Sequence, residues 1–250
     1  MRILIKVKPS QEIPLNISRS YIRNLIYSSI KNTEFDWMHE SKYKHFCFSN
    51  FFPFDDSINY LENNRTYNLL ISSPIEKLIK IVAKKTIELD ILTLGKYTLR
   101  VQELKYIKTP YIIDKVITAT PIVIRLPEKL YKKYDIKSKR NCEFWTNEIF
   151  LNAFIESLIK NSIKRYSHYL LNTKFGIKSN YNEEKPPLNI IRSMKFKKIV
   201  FGWDKHFRGT MWEFIIDRKW QKSSLAKYLY ESGLGERNAS SGSGFINLIK

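Results

Sequence analysis

Two stretches of this 250-residue chain concentrate side chains suited to chemistry. The first is Trp37-Met38-His39-Glu40-Ser41-Lys42-Tyr43-Lys44-His45-Phe46, which sets two of the four histidines among lysines. Histidine suits proton transfer because its pKa lies near neutrality. An ammonium beside it can stabilise charge that develops on a phosphate. Of the other two histidines, His168 falls on a long amphipathic helix and reads as an ordinary helix residue. His206 stands with Lys205 and Arg208 at an expected hairpin tip and reads as a contact residue. The second stretch is Gly233-Leu234-Gly235-Glu236-Arg237-Asn238-Ala239-Ser240-Ser241-Gly242-Ser243-Gly244-Phe245. Its four glycines allow left-handed conformations and a close approach to phosphate. Their N–H groups, with Ser240, Ser241 and Ser243, could cradle a phosphate backbone. The stretch lacks GxxxxGK[ST], and no helix is expected after it. Neither a nucleotide-binding P-loop nor a GxGxxG dinucleotide site is indicated.

Charge narrows the partner. Forty-three Lys+Arg against 24 Asp+Glu give a formal net charge of +19 and a pI near 9.7. Residues 1–125 hold 19 basic and 12 acidic residues and residues 126–250 hold 24 and 12, so the excess is not a tail. Such a field attracts polyanions and makes binding salt-dependent. Cys47 and Cys142 stand far apart in no CxxC pair, which argues against a disulfide framework or a cysteine zinc site and fits a reducing cytoplasm. No apolar run approaches the roughly 20 residues of a membrane span, and the start Met1-Arg2-Ile3-Leu4-Ile5-Lys6 has no leader pattern. No zinc-finger, helix-turn-helix or two-metal carboxylate pattern points to DNA chemistry.

The elements that must position these residues follow from periodicity. Residues 2–8 alternate as a half-buried strand. Asn16 is an expected helix cap, and Ile22, Leu25, Ile26 and Ile30 share one helical face over 17–31, with Arg23, Tyr27 and Lys31 near the wet face. Strands are expected at 44–52 and 66–72, a helix from Pro74 to about Lys85, and strands at 87–93 and 96–107. This β-α-β-β-α-β order is the ferredoxin-like split βαβ pattern. A second, less regular unit begins near Thr118 with Ile122-Val123-Ile124. A polar stretch at 127–141, a helix over 147–171, a loop over 173–190 and a hairpin over 193–217 follow. A helix from Ser223, the glycine segment and a strand at 245–249 complete it. The expected class is α+β: two tandem ferredoxin-like domains, 1–115 and 116–250, with a basic cleft between them.

The helix followed by G-x-G-E-x-N-x-S-S-G-x-G-F near the C-terminus resembles the signature of CRISPR-associated endoribonucleases that process repeat transcripts, members of the RAMP superfamily. The N-terminal MRILIKVKP, the Leu25-Ile26-Tyr27-Ser28-Ser29-Ile30 helix and the Lys44-His45-Phe46-Cys47-Phe48-Ser49 strand are similar to that family's pattern as well. The resemblance spans essentially the whole chain and implies RNA cleavage without a metal ion or cofactor. A 2′-hydroxyl attack would leave 5′-hydroxyl and 2′,3′-cyclic phosphate ends.

The resemblance matches His39 to the family's histidine, as general acid or base, Tyr27 to its helix tyrosine, and Lys44 to its phosphate-stabilising lysine. His45 and Lys42 are the alternatives. The hairpin cations Lys195, Lys197, Lys198, Lys205 and Arg208, with His206, resemble the family's RNA-gripping element. Interleaved Phe196, Trp203 and Phe207 offer stacking surfaces. Arg23 and the segment residues Gly233, Gly235, Arg237, Asn238, Ser240, Ser241, Gly242 and Gly244 complete the expected RNA contacts. Implied partners are CRISPR repeat RNA, as precursor and mature guide, with a homodimer and an interference complex as further assemblies, in a prokaryotic cytoplasm with no membrane. A non-catalytic RNA-binding RAMP subunit of an effector complex is the alternative function.

Overall fold

Alternation in Arg2–Pro9 (β1) turns Ile3, Ile5 and Val7 into one fully buried row, while Lys6 stays exposed. That row is the centre of the first of two units in a computed structural model, which describes residues 1–53, 60–137, 142–173, 190–201 and 208–249. β1 pairs antiparallel with Tyr67–Ser72 (β5) on one side and Tyr97–Ile107 (β7) on the other. Cys47–Phe48 (β3) and Ile91–Leu94 (β6) flank them, giving the order β3-β5-β1-β7-β6. A short pair, Ile13–Pro14 (β2) and Tyr60–Leu61 (β4), lies apart. Two helices, Leu15–Ile30 (α1) and Glu76–Leu89 (α2), cover the apolar face. They bury Ile22, Ile26 and Ile30 from the first and Leu78, Ile79, Val82 and Ala83 from the second. Without the β6 edge, this is the antiparallel ferredoxin-like sheet with a helix after its first and third strands.

The second unit repeats the plan. Lys115–Thr118 (β8), Leu151–Thr173 (α4), Ile191–Phe201 (β11), Arg208–Ile216 (β12), Ser224–Ser232 (α5) and Ile246–Leu248 (β13) follow the same β-α-β-β-α-β order. Their sheet runs β11-β12-β8-β13. The pair Arg125–Pro127 (β9) and Cys142–Phe144 (β10), with the short helix Lys129–Tyr134 (α3), is inserted ahead of α4. Its core is aromatic: Trp212 stacks on Phe154 at 4.8 Å and meets Trp145 at 5.2 Å. Ser223 caps α5, its hydroxyl accepting from the Ala226 N–H at 3.0 Å.

The first unit comprises Met1–Thr109 with Asn238–Gly242, and the second Pro110–Arg237 with Ser243–Lys250. Residues 110–115 thus go with the second unit rather than ending the first. Ile113 is buried in the second core, and its N–H donates to the Gln221 carbonyl at 2.9 Å.

Several expected boundaries are corrected. α1 starts at Leu15 after Pro14, whose φ of −59° leads into the helix, so Pro14 and not Asn16 stands at the cap position. The strand expected at 44–52 is a ladder only at Cys47–Phe48. His45 sits at φ +51°, and the Ser49 hydroxyl accepts the Leu70 N–H at 2.9 Å in place of a carbonyl. α2 runs on to Leu89, replacing the first half of the strand expected at 87–93. The run Ile122-Val123-Ile124 makes isolated bridges only, and the sheet strand is the earlier β8. The polar stretch 127–141 contains α3. The expected loop over 173–190 lies mostly outside the described residues.

Candidate active site

α1 presents Arg23 and Tyr27 one turn apart, both half-buried. The helix ends where the Lys31 N–H donates to the Tyr27 carbonyl, and the chain then turns into a 3-10 segment, Asp36–His39. Met38 in that segment is fully buried in the first core. This anchor leaves His39 on the outside, against α1. The His39 ring centroid lies 4.6 Å from that of Tyr27, with the planes tilted 33°. Asp36 Oδ1 stands 3.5 Å from His39 Nε2. Lys44 then folds back. Its ammonium donates to the carbonyls of Met38 at 2.5 Å and His39 at 2.6 Å, and lies 6.0 Å from the Tyr27 ring centroid. Phe46 closes the far side of Tyr27 in an edge contact at 5.7 Å.

Tyr27, His39 and Lys44 therefore meet at one corner, although 17 residues of sequence separate the first from the last. Burial pushes the Tyr27 phenol above its ordinary 10.0, with Arg23 pulling the other way. It also lowers the Lys44 ammonium below its ordinary 10.5, with the nearby Glu40 carboxylate opposing. A protonated phenol, an imidazole and an ammonium are the groups needed to move a proton and stabilise a phosphorane-like charge.

The alternatives diverge from this corner. His45 is only 1% exposed, and its carbonyl accepts from the Ser73 hydroxyl at 2.8 Å. Its ring lies 6.4 Å from Trp37 and takes no part in the surface cluster. Lys42 is exposed and turns to the Tyr43 ring, 5.6 Å from its centroid. The placement of Tyr27 on a wet face is corrected as well, since it packs against the first core. Asp36 was not singled out from the sequence. Its i, i+3 spacing to His39 on a helical turn was the available signal.

The glycine segment is not an open phosphate cradle. The N–H groups of Gly233, Gly242 and Gly244 donate within the chain, to Leu229, Asn238 and Pro121 carbonyls. Gly233, Gly235, Gly242 and Gly244 are all buried. Two positions show why glycine is needed. At Gly235, φ +72°, a Cβ would stand 2.6 Å from the Val123 carbonyl oxygen; at Gly242, φ +65°, it would stand 2.6 Å from that of Phe48. Between them, Asn238–Ser241 forms a helical turn (α6) that packs on α1 and β3, with Ala239 in the first core. The segment thus buttresses the helix that carries Tyr27. Arg165 of α4, 4% exposed, holds the other end, donating to the carbonyls of Ser232 (2.8 Å), Gly233 (2.9 Å) and Gly235 (3.1 Å). Arg237 and Ser240 are its exposed members, Ser241 is half-buried and Asn238 is buried.

On the hairpin, Lys195, Lys197, Lys198 and Arg208 are exposed. A bulge between Phe196 and Lys198 breaks the alternation and sets two consecutive lysines outward. Lys197 is ion-paired to Glu213 at 2.6 Å. Phe196 is half-buried against the second core, in edge contact with Trp212 at 5.2 Å and Trp145 at 5.9 Å. Trp203, Lys205, His206 and Phe207 lie outside the described residues. Among the described residues no cluster of three or more His, Cys, Asp or Glu could hold a metal ion, and no helix is long and apolar enough to cross a membrane.

Two ferredoxin-like units in tandem define the fold class of the chain. The solved structure of "an RAMP protein binding different RNA substrates" superposes at a TM-score of 0.69 with 19% identity, covering 100% of both chains. That of a Cas6-related protein from Pyrococcus furiosus superposes at 0.67 with 19% identity, over 100% of this chain and 98% of the other. The sequence is more specific. Residues 102–248 match the family "CRISPR associated protein Cas6, C-terminal". The CRISPR-associated endoribonuclease Cas6 2 of Methanocaldococcus jannaschii is 32% identical over 267 aligned positions, covering all of both chains. The chain belongs to the Cas6 family.

Proposed function

We propose that this protein is an endoribonuclease that binds CRISPR repeat RNA and cuts the precursor transcript by 2′-hydroxyl attack. The carrying observation is the convergence of Tyr27, His39 and Lys44, with two rings 4.6 Å apart and the ammonium at the same corner. In the reaction the 2′-oxygen bonds to phosphorus, the phosphorus–O5′ bond breaks, and one proton passes from the 2′-hydroxyl to the departing 5′-oxygen. His39 carries that proton, because an imidazole has one ring nitrogen to accept a proton and another to hold one. Tyr27, kept a phenol by burial, orients the reacting oxygen by donating a hydrogen bond. Lys44 has three N–H bonds; two fix it to the Met38 and His39 carbonyls, and the third meets the phosphate. These groups supply every proton and charge the step requires, so no metal ion is assigned to it. The place of action is a prokaryotic cytoplasm. The product is a guide RNA for antiviral defence, delivered to an interference complex by the protein alone or as a homodimer.

The test is to incubate the purified chain with repeat RNA in EDTA and map the cut and its ends. One cut with a cyclic phosphate, lost with a 2′-deoxy nucleotide at the scissile position and lost in His39→Ala, is expected. Undiminished cleavage by His39→Ala would sink the assignment. Tight binding without a cut would make the protein a non-catalytic RNA-binding RAMP subunit of an effector complex.

A further inference from the structure

A second cluster in the second unit uses none of the residues above. Tyr111 is 65% exposed, and two ammonium groups converge on its ring: Lys222 at 5.1 Å and Lys227 at 5.0 Å from the centroid. The placement is built in. The Ile113 N–H donates to the Gln221 carbonyl at 2.9 Å, pinning the 111–113 segment beside the turn that carries Lys222. That turn is closed by the Trp220 N–H on the Asp217 carbonyl and the Gln221 side-chain amide on the Ile216 carbonyl. Lys227 projects from the first turn of α5, which Ser223 caps.

Like charges gathered on one ring repel unless a counter-charge joins them. Between Asp217 and Lys227 the sequence has four cations, Arg218, Lys219, Lys222 and Lys227, and one carboxylate. That carboxylate is turned to the backbone, Asp217 Oδ1 accepting the Lys219 N–H at 3.0 Å. Asp114, three residues from Tyr111, accepts the Lys115 N–H at 2.7 Å, and Glu231, one turn after Lys227 on α5, is buried. Neither Lys222 nor Lys227 has a carboxylate partner among the described ion pairs. Ile112, 42% exposed, extends the apolar surface beside the ring.

We infer that Tyr111, Lys222 and Lys227 form a further contact site for single-stranded RNA, one unpaired base stacking on Tyr111 while the flanking phosphates draw the two ammonium groups. The inference rests on the reading of the chain as an RNA-binding protein and deepens it. Flexible lysine stems let the ammonium groups leave the ring for phosphate as the base takes their place. Stacking needs a splayed base, so the ligand is an unpaired segment and not a duplex.

The test is binding of an uncleavable, 2′-deoxy-substituted repeat RNA over a range of salt concentrations. Against the parent chain, Lys222→Ala/Lys227→Ala should flatten the plot of log affinity against log salt by about 1.4, roughly 0.7 per phosphate contact on a single strand. Lys222→Arg/Lys227→Arg should restore the slope, which separates charge from any loss of fold. Tyr111→Ala should weaken the unpaired RNA about 10-fold and the same RNA annealed as a duplex much less. An unchanged slope in the double alanine variant, or equal losses on single strand and duplex, would overturn the site. A parent that binds with the steeper slope yet never cuts the unmodified repeat leaves this site standing and removes the nuclease reading. A parent that binds no RNA overturns both.

Discussion

At the residue scale, burial acts in opposite directions on two groups of the corner around Tyr27. In water a tyrosine and a lysine lose their protons in neighbouring ranges. Here burial raises the phenol and lowers the ammonium. Single-turnover cleavage at saturating protein should fall on the alkaline side with a midpoint below the ordinary lysine value of 10.5. Lys44→Arg, which holds its charge, should retain part of the rate and carry that limb to higher pH. An alkaline limb identical in both proteins would show that Lys44 does not meet the phosphate. The same burial works on stability with a definite sign. A lowered lysine pKa means the folded state binds fewer protons than the unfolded one within that window, so the charged Lys44 opposes folding below it and the opposition fades as pH rises through it. Proximity of His39 to Tyr27 was not readable from spacing alone. It depends on Met38, an unremarkable apolar residue in the sequence, being the anchor of a 3-10 turn. Choosing His39 over His45 came from the family pattern; burial of His45 supplies the physical reason.

At the scale of elements, the glycine segment is a packing device. Its four glycines were legible as a motif, but a glycine that approaches phosphate and a glycine that approaches a carbonyl look alike in sequence. At Gly242 the close approach is to a carbonyl: the space a Cβ would take is filled by the Phe48 carbonyl oxygen and ring. Gly242→Ala must strain a positive φ and displace β3 from α6, a loss of about 1–3 kcal/mol for overpacking alone. Thermal unfolding should shift down by several degrees. Because α6 also packs on α1, cleavage should fall more than RNA affinity does. A variant that melts like the parent but binds RNA poorly would return the glycine to the phosphate. Helices and long strands were readable wherever 3.6- or 2-residue periods ran for several turns, as in α1, α4 and β1. The 44–52 strand failed because a serine hydroxyl replaced a backbone acceptor, a substitution that hydrophobic alternation does not encode.

At the scale of the whole molecule, the repeated order of elements was legible, while the membership of Asn238–Gly242 in the first unit was not, since contiguity in sequence suggests otherwise. The net charge of +19 was legible as a polyanion field, yet composition does not say which cations are already neutralised. The hairpin supplies the case. Glu213 sits opposite Lys195 in the ladder and is ion-paired to Lys197, whose hydrogen bond holds its carboxyl below the usual carboxylate range. Engaging Lys197 with RNA requires breaking that pair. Glu213→Gln removes the competing anion and releases Lys197, so RNA affinity should rise and its salt dependence steepen by about 0.7 for one added single-strand phosphate contact. Adding Lys197→Ala to Glu213→Gln should cancel the gain, whereas Lys197→Ala alone should change little. A Glu213→Gln chain with the parent's slope would place the hairpin's open face away from the RNA backbone, leaving the field to guide encounter without grip at this strand.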